Sequence, residues 1–214
     1  MVLRLPLTHR VAQGFVADGS GPDLLRELLA EYESLLSQYT PKDLAQLRPG
    51  LPEKRIRDLF RTLELEAPDE AIVWWGWRNG TDPVHNLRTR PYPLETAVAD
   101  YQQERLADDP TDDGWLRGWL PVLGDSPWDS TAMDCNPSHD PPRIRYIDPE
   151  VGGFDRFGED IGRFQALSLC VPVTWWITAI REGWWWTDAN GRWIQKWNIL
   201  ESPIPVEWSI TELM

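Results

Sequence analysis

The stretch from Gly118 to Cys135, GWLPVLGDSPWDSTAMDC, constrains the fold of this chain more than any other. Two apolar runs enclose a short polar break, the pattern of a strand, a turn and a second strand. Trp119, Leu120, Val122 and Leu123 are the apolar part of the first strand. Gly124, Asp125, Ser126 and Pro127 are turn residues, and Ser130 to Cys135 resumes a half-buried alternation. The unit joins a large apolar surface to carboxylates at a loop. Nothing beside it in the sequence completes an active site, so it reads as a surface presented to another macromolecule.

Helical periodicity precedes this unit. Residues 1–19 are a lead-in, with Val2, Leu3, Leu5 and Leu7 available for an edge strand. A first helix is expected from Pro22, with Ser20 as its cap, and Pro41 closes it. Leu24, Leu25, Leu28, Leu29, Tyr32, Leu35, Leu36 and Tyr39 share one face of it. A second helix spans Pro52 to Leu63, with Ile56, Leu59, Phe60 and Leu63 inward. Ala67 to Gly80 reads as a third, starting at Pro68, Asp69 and Glu70, where acidic residues suit the helix dipole. Its end, Asn79-Gly80, is either a helix stop or a hairpin turn. Pro93 to Leu106 is a fourth helix, with Leu94, Ala97, Val98 and Tyr101 in register.

Strands follow at Leu116–Leu123, Thr131–Cys135 and Arg143–Asp148. Pro149 to Phe164 is a charged, Gly-rich connection. Leu167 to Glu182 is a helix capped by Ser168, with Pro172 in its first turn and Gly183 as its stop. A hairpin then runs from Trp184 through Asn190-Gly191 to Trp197, before the tail Asn198–Met214. Helices first and neighbouring strands after them argue for an α+β fold. N-terminal helices pack on a mainly antiparallel sheet, and a Trp-rich hairpin ends the domain, taken as residues 20–197. The chain holds 14 Trp, each able to bury roughly 150–250 Å², and most are expected in the core.

The formal charge is −13 over 214 residues. From Glu95 to Asp160 there are 16 acidic residues against 5 Arg and no Lys, so this third carries −11 of that charge. Such a field repels nucleic acid and steers a basic protein. Cys135 and Cys170 lack metal-ligand spacing and do not make a disulfide scaffold, which suits reduced thiols in the cytoplasm. The first residues, MVLRLPLTHRVAQG, lack the long apolar segment of a signal peptide. Leu169 to Ile180 is too short for a membrane span.

His9, His85 and His139 are far apart and form no metal-binding pattern, and no cofactor is expected. Asp109 to Leu120 matches only part of a calcium loop, with Thr111 third and Leu120 where a Glu is needed. No P-loop, dinucleotide or nucleophile-elbow motif occurs. Cys135 is read as a small buried hydrophobe. An enzyme alternative is carbohydrate-active: Asp125, Asp129 and Asp134 as acid and base beside Trp119 and Trp128.

Three stretches together resemble the SUKH superfamily, which includes the yeast cell-wall assembly regulator and bacterial toxin-immunity proteins. They are Pro49–Gly80 (PGLPEKRIRDLFRTLELEAPDEAIVWWGWRNG), Gly118–Asn136 with its Trp-x-Pro strand and Gly-Asp turn, and Pro142–Glu150 (PRIRYIDPE). The Ser168 helix and the Trp-rich hairpin follow in the same order. Ala67, where the family usually has Leu, and the long Pro149–Phe164 connection depart from the pattern. The resemblance implies an α+β domain without catalytic activity, which in bacteria binds and neutralises a toxin in the cytoplasm.

The leading expectation is therefore a non-enzymatic binding module whose partner is a basic toxin domain, a nuclease among the candidates. Neither nucleic acid nor membrane is expected to bind directly. The candidate contact residues are Asp108, Asp109, Asp112, Asp113, Asp125, Trp128 and Asp129. Trp119, Pro121, Trp74 and Trp77 are assigned structural roles. The other alternative is a regulatory or scaffold domain that binds a housekeeping partner.

Overall fold

Leucine spacing does set the first helix. In the computed structural model, which describes residues 3–12, 14–81, 90–106, 118–126, 129–139, 141–147 and 165–196, helix α1 spans Pro22–Tyr39. It buries Leu25, Leu28, Leu29, Tyr32 and Leu36. Leu24 and Leu35 are half-buried and Tyr39 is exposed, because the apolar stripe is wider than the surface it packs on. Ser20 is not the cap. Gly21 takes the N-cap position without a side-chain hydrogen bond, and Pro22 stands at the helix start. Pro41 closes α1 by opening a short helix α2, Pro41–Leu44.

Strand β3, Leu47–Pro49, precedes helices α3, Glu53–Thr62, and α4, Asp69–Trp77. Helix α3 buries Ile56, Leu59 and Phe60, and Leu63 is buried at its end. Helix α4 puts Trp74 and Trp75 fully into the core, while Trp77 stays half-buried. Both buried indoles donate to backbone: Trp74 Nε1 to the Val122 carbonyl at 3.2 Å and Trp75 Nε1 to the Tyr92 carbonyl at 2.9 Å. Satisfying those donors keeps large rings inside without an orphaned N–H.

Asn79-Gly80 is neither a helix stop nor a hairpin turn. The helix ends at Trp77, and Arg78–Thr81 is a strand, β4, antiparallel to β3. Asn79 serves the next helix, α5, Leu94–Leu106: its Oδ1 accepts the Leu94 N–H at 2.9 Å. Its Nδ2 donates to Glu95 Oε2 at 2.8 Å. Helix α5 buries Leu94, Ala97, Val98 and Tyr101 as the spacing predicts.

The remaining elements form a six-stranded sheet and a separate hairpin. Two strands come from the expected lead-in, not at residues 2–7 but as β1, Thr8–Val11, and β2, Gly14–Ala17. The others are β5, Trp119–Ser126, β6, Asp129–Asp134, β7, Ile144–Ile147, and β8, Gln165–Ala166, in the order β1-β2-β8-β7-β6-β5. All pairs are antiparallel except β2 with β8, which is parallel. Strand β5 runs further than the sequence suggests. Gly124 pairs with Ser130 and Ser126 with Asp129, so Gly124, Asp125 and Ser126 belong to the strand, and register shifts accommodate them. Residues 90–92 run along β5, with Tyr92 N–H donating to the Val122 carbonyl at 2.8 Å.

Helix α6 spans Cys170–Arg181, starting three residues later than the pattern implies. Ser168 still helps to cap it, because its Oγ accepts the Cys170 N–H at 2.9 Å. At the other end Gly183 (φ 71) allows two closing bonds. Its N–H reaches the Ile180 carbonyl at 3.2 Å, and the Trp184 N–H reaches the Ala179 carbonyl at 2.8 Å. This Schellman ending leads directly into β9, Trp185–Thr187, and β10, Trp193–Gln195. The fold is mixed α+β, with helices packed beside mainly antiparallel sheets.

Candidate functional site

Pairing of β5 with β6 brings the backbones of Asp125 and Asp129 to the same end of one hairpin. They are the two expected contact residues that the described backbone places together. Asp108, Asp109, Asp112, Asp113 and Trp128 lie outside the described residues, as do the Pro149–Phe164 connection and the Asn198–Met214 tail. Of the structural assignments, Trp74, Trp119 and Pro121 are buried.

A second feature is an open groove of about 880 Å³ between α1 and α4. It exists because α1 buries its leucines on one side and turns Ala30, Ser34 and Ser37 to the other, where all three are exposed. Small side chains there leave space beside Ile72, Val73 and the exposed Gly76 of α4. Trp77 forms part of the wall and is held in place by Glu33. The Trp77 Nε1 donates to Glu33 Oε2 at 2.6 Å, and Arg78 Nη2 donates to Glu33 Oε1 at 2.8 Å. The groove offers shape and apolar contact, with its Glu33 carboxylate already occupied. The sequence does not reveal it: the small residues Ala30, Ser34 and Ser37 opposite the leucine stripe do not by themselves show what they face.

A buried polar cluster around Glu70 is structural. Glu70, in the first turn of α4, is 2% exposed. Its Oε1 accepts from Ser168 Oγ at 2.7 Å and from the Gly21 N–H at 3.2 Å, and its Oε2 accepts the Leu169 N–H at 2.8 Å. Gly21 and Leu169 are the N-cap residues of α1 and α6. The start of three helices therefore converges on one carboxylate, the charge that helix N-termini favour. The Cys170 thiol lies beside it. Burial first, and then the Glu70 charge, push that thiol up to about 12, so it stays protonated and unreactive at neutral pH. Burial likewise pushes the Cys135 thiol up, with Asp134 adding to the effect.

Asp134, part of the carbohydrate-active alternative, is also committed elsewhere. Its Oδ2 lies 2.6 Å from His139 Nδ1, and its Oδ1 accepts the Asn136 N–H at 2.9 Å. The side chain is 5% exposed. This arrangement staples the turn after β6. Among the described residues no group of three or more His, Cys, Asp or Glu side chains is placed to hold a metal ion. Among them, too, no helix is long and apolar enough to cross a membrane.

No protein-family model matches the chain, and no curated protein matches its sequence.

Proposed function

We propose that this chain is a non-enzymatic protein-binding domain of the SUKH type, an immunity-type protein that neutralises a basic toxin domain in the bacterial cytoplasm. The observation that carries the reading is the charge distribution: −11 of the −13 lies between Glu95 and Asp160. Two of those carboxylate residues, Asp125 and Asp129, share one end of the β5–β6 hairpin. A cluster of one sign raises the association rate with an oppositely charged partner, while apolar contacts in the interface slow dissociation. Both oxygens of the buried Glu70 carboxylate are already used at helix starts, which supports a scaffolding role for that side chain.

The test is calorimetric titration of the chain with the toxin domain encoded beside its gene. A saturable complex is expected, weakened roughly tenfold or more as salt rises from about 0.05 to 0.5 M. Asp125→Asn with Asp129→Asn should slow association while leaving the melting temperature unchanged. A complex insensitive to salt and to these substitutions contradicts the acidic surface. Absence of any complex contradicts the immunity reading.

A further inference from the structure

The N-terminal hairpin joins the six-stranded sheet through one short parallel seam. We propose that β1–β2 is a strap that swings open about Asp18–Gly21 as a unit, uncovering the edge of β8 and the Trp175 ring of α6.

Three observations carry this. First, none of the described residues from 3 to 20 is buried. Leu3, Leu5, Phe15 and Ala17 touch the core only as partly buried side chains. An element with no buried anchor of its own detaches at a free energy below that of global unfolding, because what returns to water is its own partly buried side chains and the Trp175 face they cover. Second, its seam with the sheet is short. Strand β8 has two residues, and β2 meets it at the single register pair Phe15–Ala166. The Leu167 N–H adds one bond to the Phe15 carbonyl at 2.8 Å. On the α6 side, Phe15 packs edge-on to Trp175 at 5.4 Å, and Trp175 Nε1 donates to Thr8 Oγ1 at 3.2 Å. Arg181 donates to the Leu3 carbonyl at 2.9 Å.

Third, the segment between hairpin and α1 is built as a hinge. Gly19 and Gly21 stand at φ 101 and 103, angles that side-chain-bearing residues rarely adopt. The far end of that segment is fixed, because the Gly21 N–H is held by Glu70. Motion therefore stops at Gly21 and does not propagate into α1. Within the hairpin the four register pairs from Thr8–Ala17 to Val11–Gly14 keep the two strands together. Arg10 lies 5.9 Å from the Phe15 ring and adds to that cohesion.

Native-state proteolysis tests the strap. Trypsin at low concentration cuts a bond in proportion to the population of its opened form. Once off the sheet, a hairpin of four-residue strands is too short to stay paired in water, so swinging open makes its strands cleavable. In the full chain the Arg10–Val11 bond should be cleaved while Arg181–Glu182, in the last turn of α6, stays intact. Phe15→Ala should speed the Arg10 cut roughly tenfold without changing the Arg181 cut. Trp175→Phe, which removes the indole donor but keeps an aromatic ring, should speed it by less. The proposal is overturned if Arg10–Val11 survives as long as Arg181–Glu182. It is equally overturned if Phe15→Ala accelerates both cuts together, since the hairpin would then open only with the whole fold.

Discussion

The two terminal hairpins of the fold are similar in size and opposite in anchorage. The N-terminal one, β1–β2, has four-residue strands, and the C-terminal one, β9–β10, has three-residue strands. Yet the shorter ladder is the better anchored. Its inward face carries Trp185 at 3%, Trp193 at 5% and Gln195 at 9% exposure, and the two indoles pack edge-on at 6.4 Å. Its outward face pairs Trp186 with Ile194. The N-terminal hairpin buries none of its described residues. Backbone bonds do not hold a hairpin to a protein; buried side chains do, because water competes with the former and is excluded from the latter.

The largest effect expected from this difference is on truncation. Trp193→Ala should cost about 3–5 kcal/mol in urea unfolding, while Phe15→Ala should cost only about 1 kcal/mol. Equal costs would break the contrast. Next comes the carboxylate that serves both ends. Glu70→Gln replaces an acceptor with a donor facing the N–H and O–H groups it now receives, at about 2–3 kcal/mol. It should destabilise α6 and release Gly21 together, visible as faster amide exchange at Leu169 and Gly21. Gly183→Ala meets open space but an unfavourable φ, so a cost of about 1–2 kcal/mol is expected, confined to the joint between α6 and β9.

The smallest effect concerns pH. The Asp188 carboxylate is held below its ordinary value of 3.8 by the Arg192 N–H and, less strongly, the Asn190 N–H. A carboxyl lowered in the folded state stabilises it above the ordinary value, and that contribution is lost as pH falls through the folded value. Acidification below 3.8 should therefore lower the protection of the Asn190 and Arg192 amides relative to their intrinsic exchange rates, and in Asp188→Ala that protection should be low at every pH.

Anchorage also explains what the sequence made legible. Helices α1, α3 and α5 were readable because their buried residues recur every three or four positions. The Trp-rich hairpin was readable because Trp185 and Trp193 flank an Asn190-Gly191 turn. The N-terminal hairpin was not, since THRV and GFVA bury nothing strongly and no Gly-Asn or Gly-Asp pair marks the turn. Strands β3 and β4 were missed for a related reason: LRP and RNGT carry no apolar alternation, and Asn79 is there to cap α5. The acidic third was visible by counting. The α1–α4 groove was not, because its walls come from residues more than thirty positions apart and depend on which side of α1 faces inward.

Native-state hydrogen exchange at two backbone amides tests the contrast most directly. The Leu167 N–H is bonded to Phe15 across the N-terminal seam, and the Trp184 N–H is bonded to Ala179 where α6 meets the C-terminal hairpin. Leu167 should exchange through a local opening insensitive to added urea, and Trp184 only as the whole domain unfolds, with the full urea dependence. Identical exchange free energies and identical urea slopes at the two amides would contradict the account.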